Sequence, residues 1–265
     1  MSEEIIHTFV VLAYKESKYL EECINSVLNQ TVKSNVVIAT STPNDFIKKI
    51  AKKYKLDIVV NKSEKKGIGY DFDFAKNVGK TPLVTIAHQD DIYDENYAEE
   101  MIKAYKKKKK SLIIFPDYYE IRKEGKVYKN KNLKIKKFLL LKLRIHGWSK
   151  TKFIKRSALR YGCAIGCPSV TFVQENCPNK VFESDMKCDI DWLAWERLSK
   201  EKGYFYYIHK PLMGHRIYDE STTSKVLKDN GRTKEDYEMF CKFWPKFIAK
   251  RITKFYQKSE KSNQD

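Results

Sequence analysis

The stretch best suited to chemistry is His88-Gln89-Asp90-Asp91, which follows the short apolar run 84–87. Two adjacent carboxylates repel each other, and ionising both near a low-dielectric sheet edge costs free energy. A solvated turn explains the pair, because Asp is common where strands stop. A divalent cation explains it equally well in chemical terms, since such ions bind hard oxygen ligands and cancel the repulsion. On these residues alone the turn is the simpler interpretation.

The elements before this stretch alternate between strands and helices. Apolar, β-branched runs predict strands at 5–14, 35–40, 56–61 and 83–87, and helical spacing or turn chemistry predicts a helix after each of the first three. This alternation indicates an α/β fold with a mixed, mainly parallel sheet flanked by helices. Ligands of such sheets bind beyond the carboxyl ends of the strands. Asp90 and Asp91 lie at that edge, which strengthens the metal interpretation.

The second half of the chain is less regular. Strands are predicted at 111–121, 125–129 and 204–208, a helix at 189–203, a basic amphipathic segment at 131–145, and one amphipathic C-terminal helix at 234–258 before a polar tail. The sequence contains no internal repeat, and no linker divides it into two domains. The 265 residues are therefore expected to form one large domain with a small C-terminal appendage.

Composition limits the functional classes. Hydrophobic residues make up 42% of the chain, as in a globular protein, and the net charge of +18 implies an anionic partner. Nucleic acid is not expected to be that partner, because no nucleic-acid-binding motif accompanies the charge. The six cysteines form no CxxC pair, which argues against zinc and predicts reduced thiols. Without a recognisable signal peptide or membrane span, a cytoplasmic protein is expected.

Four segments, in order along residues 5–225, carry a family resemblance: FVVLAYKESKYLEECINSVLNQT, IAHQDD, DWLAWERL and KPLMGHRIYDESTTS. With them the chain resembles the inverting glycosyltransferases of family 2, which have the GT-A fold. The resemblance implies a metal-dependent hexosyltransferase that uses a nucleotide-diphosphate sugar, a UDP-sugar foremost, and Mg²⁺ or Mn²⁺. It also implies a GT-A domain over 1–230, with a nucleotide-sugar-binding half (1–110) and an acceptor-binding half (111–230), followed by a C-terminal helix and tail (231–265).

Carried over from the family, Asp91 is the metal ligand, and Asp90 is a ribose contact or a second metal ligand. A metal that bridges the two phosphates of the leaving group stabilises the charge that develops there. In the closing segment the resemblance makes His215 a metal ligand and Arg216 a phosphate contact through its bidentate fork. His88 stands where many relatives have Asp, and it either ligates the metal or has a structural role.

The resemblance also outlines a nucleotide pocket. Leu12 and Tyr14 lie at the end of the first predicted strand, where relatives line the nucleoside, although packing in the core would also suit an aromatic there. Ser41 stands in the stretch where relatives have an Asp that pairs with the base. Asp71 and Asp73 fall near donor-contacting positions, or they are helix N-terminal carboxylates that interact with the helix dipole.

The catalytic base is expected at the start of the later helix. Alignment of DWLAWERL with the family puts Asp191 in that role, since one carboxylate within reach of the acceptor hydroxyl is sufficient. The alternative is an ordinary N-cap formed by Asp189 or Asp191. Trp192 and Trp195 either stack on sugar rings or belong to the core, and residues 144–166 are expected to form the acceptor wall.

The predicted C-terminal helix combines an aromatic stripe with flanking Lys and Arg. Such a helix suits an anionic bilayer, and packing against the domain explains it as well. A membrane contact would fit a lipid-linked saccharide acceptor and bacterial surface-polysaccharide synthesis on the inner face of the plasma membrane. The stripe comprises Phe240, Phe243, Trp244, Phe247, Ile248, Ile252 and Phe255.

Two other functions remain open. A nucleotidyltransferase usually carries a Gly-rich basic loop after the first strand, where this chain has AYKESKYL, so that class is disfavoured. A catalytically inactive relative that only binds a glycan or a partner stays compatible with the same motifs.

Overall fold

The computed structural model of this chain describes residues 4–218 and 231–261. The strands are β1 (His7–Ala13), β2 (Asn35–Thr40), β3 (Ile58–Val60), β4 (Leu83–His88), β5 (Ile92–Tyr93), β6 (Ser111–Arg122), β7 (Gly125–Val127), β8 (Thr171–Val173) and β9 (Tyr204–Arg216). The helices are α1 (Leu20–Leu28), α2 (Asp45–Tyr54), α3 (Ile68–Val78), α4 (Tyr97–Lys107), α5 (Lys131–Leu140), α6 (Lys152–Leu159), α7 (Ile190–Leu198), α8 (Gly231–Cys241) and α9 (Lys246–Lys261). Short 3-10 turns include Leu141–Arg144, directly after α5.

Within the described residues the strands form one sheet in the order β3-β2-β1-β4-β8-β6-β9-β5, and β7 pairs with β6. β1, β2, β3 and β4 are parallel neighbours, as are β6 and β9, whereas β8 and β5 run antiparallel to their partners. The predicted α/β fold with a mixed sheet and flanking helices is confirmed. The carboxyl ends of β1, β2, β3 and β4 therefore meet at one edge, as expected for a ligand site.

Alternation along the strands divides the core between the two faces of the sheet. In β1, Phe9 and Val11 pack in a cluster that includes Ile24 of α1 and Ile47 of α2. The intervening Val10 faces the opposite cluster, which contains side chains from α3, α6, α7, α8 and α9. This is the period-two pattern of a strand buried on both faces.

The C-terminal segment differs from the prediction of one continuous helix. α8 ends at Cys241 and α9 begins at Lys246, so Pro245 separates them. Proline has no N–H to donate and its ring clashes with the preceding turn, which breaks a helix. Both helices pack on the domain: Phe240 and Ala249 are buried, and Phe243, Trp244 and Ile252 pack against the same cluster. Among the described residues, no helix has the length and apolarity to cross a bilayer.

The division into a donor half, an acceptor half and a C-terminal segment stays a prediction. One sheet continues across 1–110 and 111–230, because β4 of the first half pairs with β8 of the second. His215 and Arg216 end β9, and the part of the closing segment from 219 onward lies outside the described residues.

Candidate functional site

The site is organised around Asp91, whose side chain is almost fully buried between β4 and β5. β5 pairs with the end of β9, with Ile92 opposite Gly214, and this pairing brings His215 to the carboxylate. His215 Nδ1 lies 3.1 Å from Asp91 Oδ1. The backbone N–H of Arg216 donates to the same oxygen at 2.9 Å. Residues more than 120 positions apart in sequence thus meet at the predicted strand end.

The charge of Asp91 controls the protonation of His215. Burial of the ring is the largest single influence and lowers the pKa of His215, but the charge and hydrogen bond of Asp91, together with the charge of Asp90, outweigh it, so this pKa is raised overall. The ring also meets Tyr118 edge-on, with 5.9 Å between ring centroids. Lys136 Nζ donates to Tyr118 Oη at 2.6 Å. These contacts hold the imidazole in one orientation over the carboxylate.

Asp90 is held beside this pair through its backbone and its side chain. Its carbonyl accepts from Arg216 Nε at 2.9 Å, and its Oδ2 accepts from Tyr218 Oη at 2.9 Å. Burial raises the pKa of Asp90, and the neighbouring charge of Asp91 raises it further. Ionising both carboxylates is therefore costly, because they are buried and repel each other. A bound cation would cancel this repulsion.

The guanidinium of Arg216 is already engaged in this structure. Besides the Asp90 carbonyl, it donates from Nη2 to Glu22 Oε2 at 2.6 Å, and it lies over the ring of Tyr19 at 4.2 Å. Its contact with the Asp90 carbonyl places the guanidinium beside the metal-binding cluster, and the phosphate contact stays a prediction.

His88 supplies the observation that favours a metal over a simple turn. Its Nε2 is buried without a hydrogen-bond partner among the described residues, and burial lowers the pKa of the ring. A neutral imidazole with an unshared lone pair is a metal ligand. His88, Asp90 and Asp91 each offer a ligand atom, and these atoms lie within 4.8 Å of one another. The donor set of one imidazole and two carboxylates fits a divalent cation such as Mn²⁺ or Mg²⁺.

The predicted nucleotide residues gather beside this cluster. Asp71, in the first turn of α3, accepts from Ser41 Oγ at 2.8 Å and from Asn61 Nδ2 at 2.8 Å. Ser41 follows β2 and Asn61 follows β3, so the three side chains line the carboxyl ends of neighbouring strands. Asp71 is therefore oriented by partners on both sides and only half-buried.

Leu12 and Tyr14 extend the same edge from β1. Leu12 lies opposite His88 in the sheet. Tyr14 is 51% exposed, so it does not pack in the core. The Gln89 side chain fixes its backbone, since Oε1 accepts from Tyr14 N at 2.9 Å and Nε2 donates to Tyr14 O at 3.1 Å. The exposed Tyr14 ring therefore lies just beyond the carboxyl end of β1.

Asp73 has a different role from the one expected. It is buried, and its two oxygens accept from the backbone N–H groups of Val181, Phe182 and Glu183 at 2.7 to 3.0 Å. Lying in the middle of α3, it does not stabilise the helix dipole at the N-terminus either. Asp73 anchors the segment before α7, so the expectation of a donor contact is corrected.

Asp191 lies in the first turn of α7. Its Oδ1 accepts from Trp192 N at 2.7 Å, and Cys163 Sγ lies 3.5 Å from Oδ2. Burial raises the pKa of Asp191. Burial lowers the pKa of His88, and the charge of Asp191 is among the smaller influences that oppose this lowering, so the two groups are within electrostatic reach of each other.

The alternatives considered for the other residues of α7 have mixed outcomes: the N-cap position and the core placement are confirmed, and the sugar-stacking role is not. Asp189 occupies the N-cap position without making a side-chain capping bond. Trp192 and Trp195 are buried, and their indole N–H groups donate to the carbonyls of Leu159 and Ile165 at 2.9 and 3.1 Å. Both tryptophans are core residues, so the sugar-stacking alternative is wrong.

Three residues near the candidate site were not identified from the sequence: Asn61, Gln89 and Lys136. Asn61 and Gln89 follow strands, and that position was the available signal. Lys136 carries no local signal, because only the packing of α5 brings its ammonium to Tyr118.

Comparison with known proteins gives the family and supports the fold. The chain is 25% identical over 259 residues to a Rickettsia typhi protein described as an uncharacterized glycosyltransferase, covering 93% of this chain and 72% of that protein. Its fold is similar to that of S. aureus TarS 1–349 in complex with UDP-GlcNAc, with a TM-score of 0.65, 14% identity, and coverage of 94% of this chain and 70% of that one.

A second similar fold is the mannosyltransferase PcManGT from Pyrobaculum calidifontis in complex with GDP-Man and Mn²⁺, with a TM-score of 0.57, 13% identity, and coverage of 95% of this chain and 70% of that one. Residues 8–171, more than half of the chain, match the family described as Glycosyl transferase family 2. The chain therefore belongs to glycosyl transferase family 2 and is a glycosyltransferase with the GT-A fold.

Proposed function

We propose that this glycosyltransferase transfers a sugar from a nucleoside diphosphate to a saccharide hydroxyl with inversion at the anomeric carbon. The observation that carries the proposal is the convergence of Asp90, Asp91 and His215 at one sheet edge, beside His88, whose Nε2 has no hydrogen-bond partner in the part of the chain that the structure describes. Asp191, in the first turn of α7, lies within electrostatic reach of His88, which supports a place for it near the same site. We propose that the metal-binding cluster forms the donor side and Asp191 the acceptor side of a direct displacement.

On the donor side, the hydrogen-bonded group of Ser41, Asn61 and Asp71 supplies polar contacts for the nucleoside, and Tyr14 supplies an aromatic face. Leu12, near the end of β1, adds an apolar contact for the nucleoside. TarS was solved with UDP-GlcNAc and PcManGT with GDP-Man, which supports a nucleotide-sugar donor. We propose a UDP-sugar, with Arg216 contacting the diphosphate.

The residues that would hold a divalent ion are Asp91, Asp90, His88 and His215. Bound there, Mg²⁺ or Mn²⁺ would supply positive charge for the departing diphosphate. His88 and His215 must present neutral nitrogens as ligands. Burial already lowers the pKa of His88, so this ring meets the requirement without further change.

On the acceptor side, Asp191 is the proposed general base. Its carboxylate takes the proton from the acceptor hydroxyl while the acceptor oxygen forms a bond to the anomeric carbon. The bond from that carbon to the diphosphate oxygen breaks on the opposite face, and the configuration inverts. Burial raises the pKa of Asp191, which brings it closer to the working pH at which a base is effective.

We further propose that the acceptor is a saccharide, lipid-linked and part of bacterial surface-polysaccharide synthesis, and that the enzyme works on the cytoplasmic face of the membrane. The strongly basic composition supports an anionic setting of this kind. The predicted C-terminal stripe is not the membrane contact that we propose, because packing on the domain covers most of it and leaves only the rings of Phe247 and Phe255 exposed.

The test begins with nucleotide binding. UDP, GDP and dTDP are titrated calorimetrically with and without Mn²⁺, and donor hydrolysis and transfer are then followed by mass spectrometry. We expect Mn²⁺-dependent binding that is lost in Asp91→Ala and weakened in Asp91→Asn, which retains an acceptor for Arg216 N. Asp45→Ala, at an exposed carboxylate on α2, is the matched control.

Three outcomes contradict the proposal. Metal-dependent binding without turnover of any donor favours an inactive binding relative. Release of pyrophosphate from a nucleoside triphosphate favours a nucleotidyltransferase. Retention of the anomeric configuration in the product excludes the single displacement with Asp191 as base.

A further inference from the structure

One continuous stretch carries most of the excess positive charge. Residues 125–174 contain no Asp or Glu. They include α5, the 3-10 turn after it and α6. Lysine and arginine occupy thirteen positions in this stretch: Lys126, Lys129, Lys131, Lys134, Lys136, Lys137, Lys142, Arg144, Lys150, Lys152, Lys155, Arg156 and Arg160. Charge so segregated creates a strongly positive surface on one part of the molecule.

The same stretch exposes apolar side chains that the fold does not use. Leu133, Leu140 and Leu143 point inward and are buried. On the outward side, Ile135, Phe138, Leu141 and Ile145 recur at helical spacing, and Trp148 and Phe153 continue them; Phe138 is 74% exposed, Trp148 57% and Phe153 70%. We call these six residues, with the exposed Lys131, Lys134, Lys142, Arg144, Lys150 and Lys152, the α5–α6 surface.

We propose that the α5–α6 surface docks on a lipid bilayer that contains anionic headgroups. Aromatic and aliphatic side chains ringed by lysines match the two attractions of such a bilayer, apolar insertion and attraction to the headgroups. The cores of protein–protein interfaces are depleted in lysine, so the interleaved lysines favour lipid over a protein partner. Trp148 has the amphipathic ring that is typical of the membrane interface.

The position of this surface suits the proposed acceptor. Lys136, from the inner side of α5, reaches Tyr118 Oη, and the Tyr118 ring contacts His215 at the metal-binding cluster. A lipid-linked saccharide can then keep its lipid in the bilayer while its sugar enters the cleft. This last step rests on the proposed function, whereas docking on the bilayer does not require it.

The surface differs from the C-terminal one expected from the sequence. α9 packs on the domain through Ala249, Ile252 and neighbouring residues, which leaves Phe247 and Phe255 exposed. These two phenylalanines provide a matched control, because they are as exposed as Phe138 and Phe153 and also have lysine neighbours.

The experiment measures binding of the full chain to sedimented vesicles of phosphatidylcholine, with or without phosphatidylglycerol. We expect binding only with phosphatidylglycerol, and weaker binding at high salt. Phe138→Ser/Trp148→Ser/Phe153→Ser should bind about tenfold more weakly or worse. Phe247→Ser/Phe255→Ser should stay within about twofold of the unsubstituted chain. Lys134→Gln/Lys142→Gln/Lys152→Gln should lose about tenfold or more through the electrostatic contribution alone.

Several results would overturn this inference. The inference is wrong if the α5–α6 variants still bind the anionic vesicles, if only the α9 variant loses this binding, or if the unsubstituted chain does not bind anionic vesicles. Self-association abolished by the aromatic variant, without vesicle binding, would assign the surface to a second copy of the chain. Unfolding curves and metal-dependent UDP binding are measured on every variant. Vesicle binding lost with UDP binding intact separates this inference from the proposed catalytic function.

Discussion

Replacement of Asp73 by Asn tests whether this carboxylate anchors the chain or contacts the donor. Asp73 Oδ1 accepts from Val181 N at 2.7 Å and Phe182 N at 3.0 Å, while Oδ2 accepts from Phe182 N at 3.0 Å and Glu183 N at 2.8 Å. An amide has only one oxygen, so its NH₂ group faces the N–H of buried Val181 in one orientation and that of half-buried Glu183 in the other. That N–H loses its acceptor.

The expected cost follows from these contacts. Leaving one buried donor unsatisfied costs about 1–3 kcal/mol, and the remaining bonds lose their charge-assisted strength. The pKa of Asp73 is raised because the cost of burying the carboxylate outweighs the stabilisation that the three backbone N–H donors give to its charged form. We therefore expect Asp73→Asn to lower the free energy of unfolding by about 2–3 kcal/mol.

Urea unfolding followed by circular dichroism measures this loss, and calorimetric titration with UDP and Mn²⁺ measures donor-site integrity. Asp71→Asn is the matched control on the same helix, where the half-buried carboxylate meets Ser41 and Asn61. We expect it to lose less than about 1 kcal/mol of stability but to bind UDP more weakly. Native stability of Asp73→Asn together with weakened UDP binding would refute the anchoring role and restore the donor contact.

Three further predictions concern protonation and catalysis. Asp191→Asn should reduce transfer about 10²–10⁴-fold while UDP affinity is unchanged, as measured by kinetics and calorimetry; unreduced transfer would remove Asp191 as the base. Burial lowers the pKa of His7 to about 3, so the folded state binds fewer protons than the unfolded state between about pH 3 and 6.5. Stability contributed by neutral His7 is present above that range and is lost as pH falls through it, by up to about 4 kcal/mol; His7→Gln should flatten this decline in urea unfolding at successive pH values. Burial, with a contribution from Asp236, raises the pKa of Asp189 to about 9, so the folded state holds the extra proton and stability falls as pH rises toward 9. Asp189→Asn has no such proton to lose, and its melting temperature should exceed that of the unsubstituted chain by a margin that grows between pH 7 and 9.

Local pattern was sufficient for much of the fold and for the centre of the site. β-branched runs alternating with helical periodicity predicted the sheet, and β2 begins and ends at the predicted residues. Asp90 and Asp91 were identified because carboxylates directly follow a buried strand, a position determined by the order of residues along the chain. The helix break at Pro245 also has a local cause, the missing N–H of proline.

Contacts between distant segments decided the remaining roles. Asp71 and Asp73 are two residues apart on α3, but one meets Ser41 and Asn61 and the other the backbone of 181–183. The unpartnered nitrogen of His88 likewise depends on what surrounds the ring, which no neighbour in sequence specifies.

Amphipathic segments show the same division. Trp192 and Phe138 both stand at helical spacing among apolar residues, yet the first is buried and the second is exposed. The sequence by itself determined that each helix has an apolar side and that 125–174 contains basic but no acidic residues. Only the tertiary structure decided which apolar sides are covered, because burial depends on the surface packed opposite a residue, and periodicity describes the residue's own helix alone.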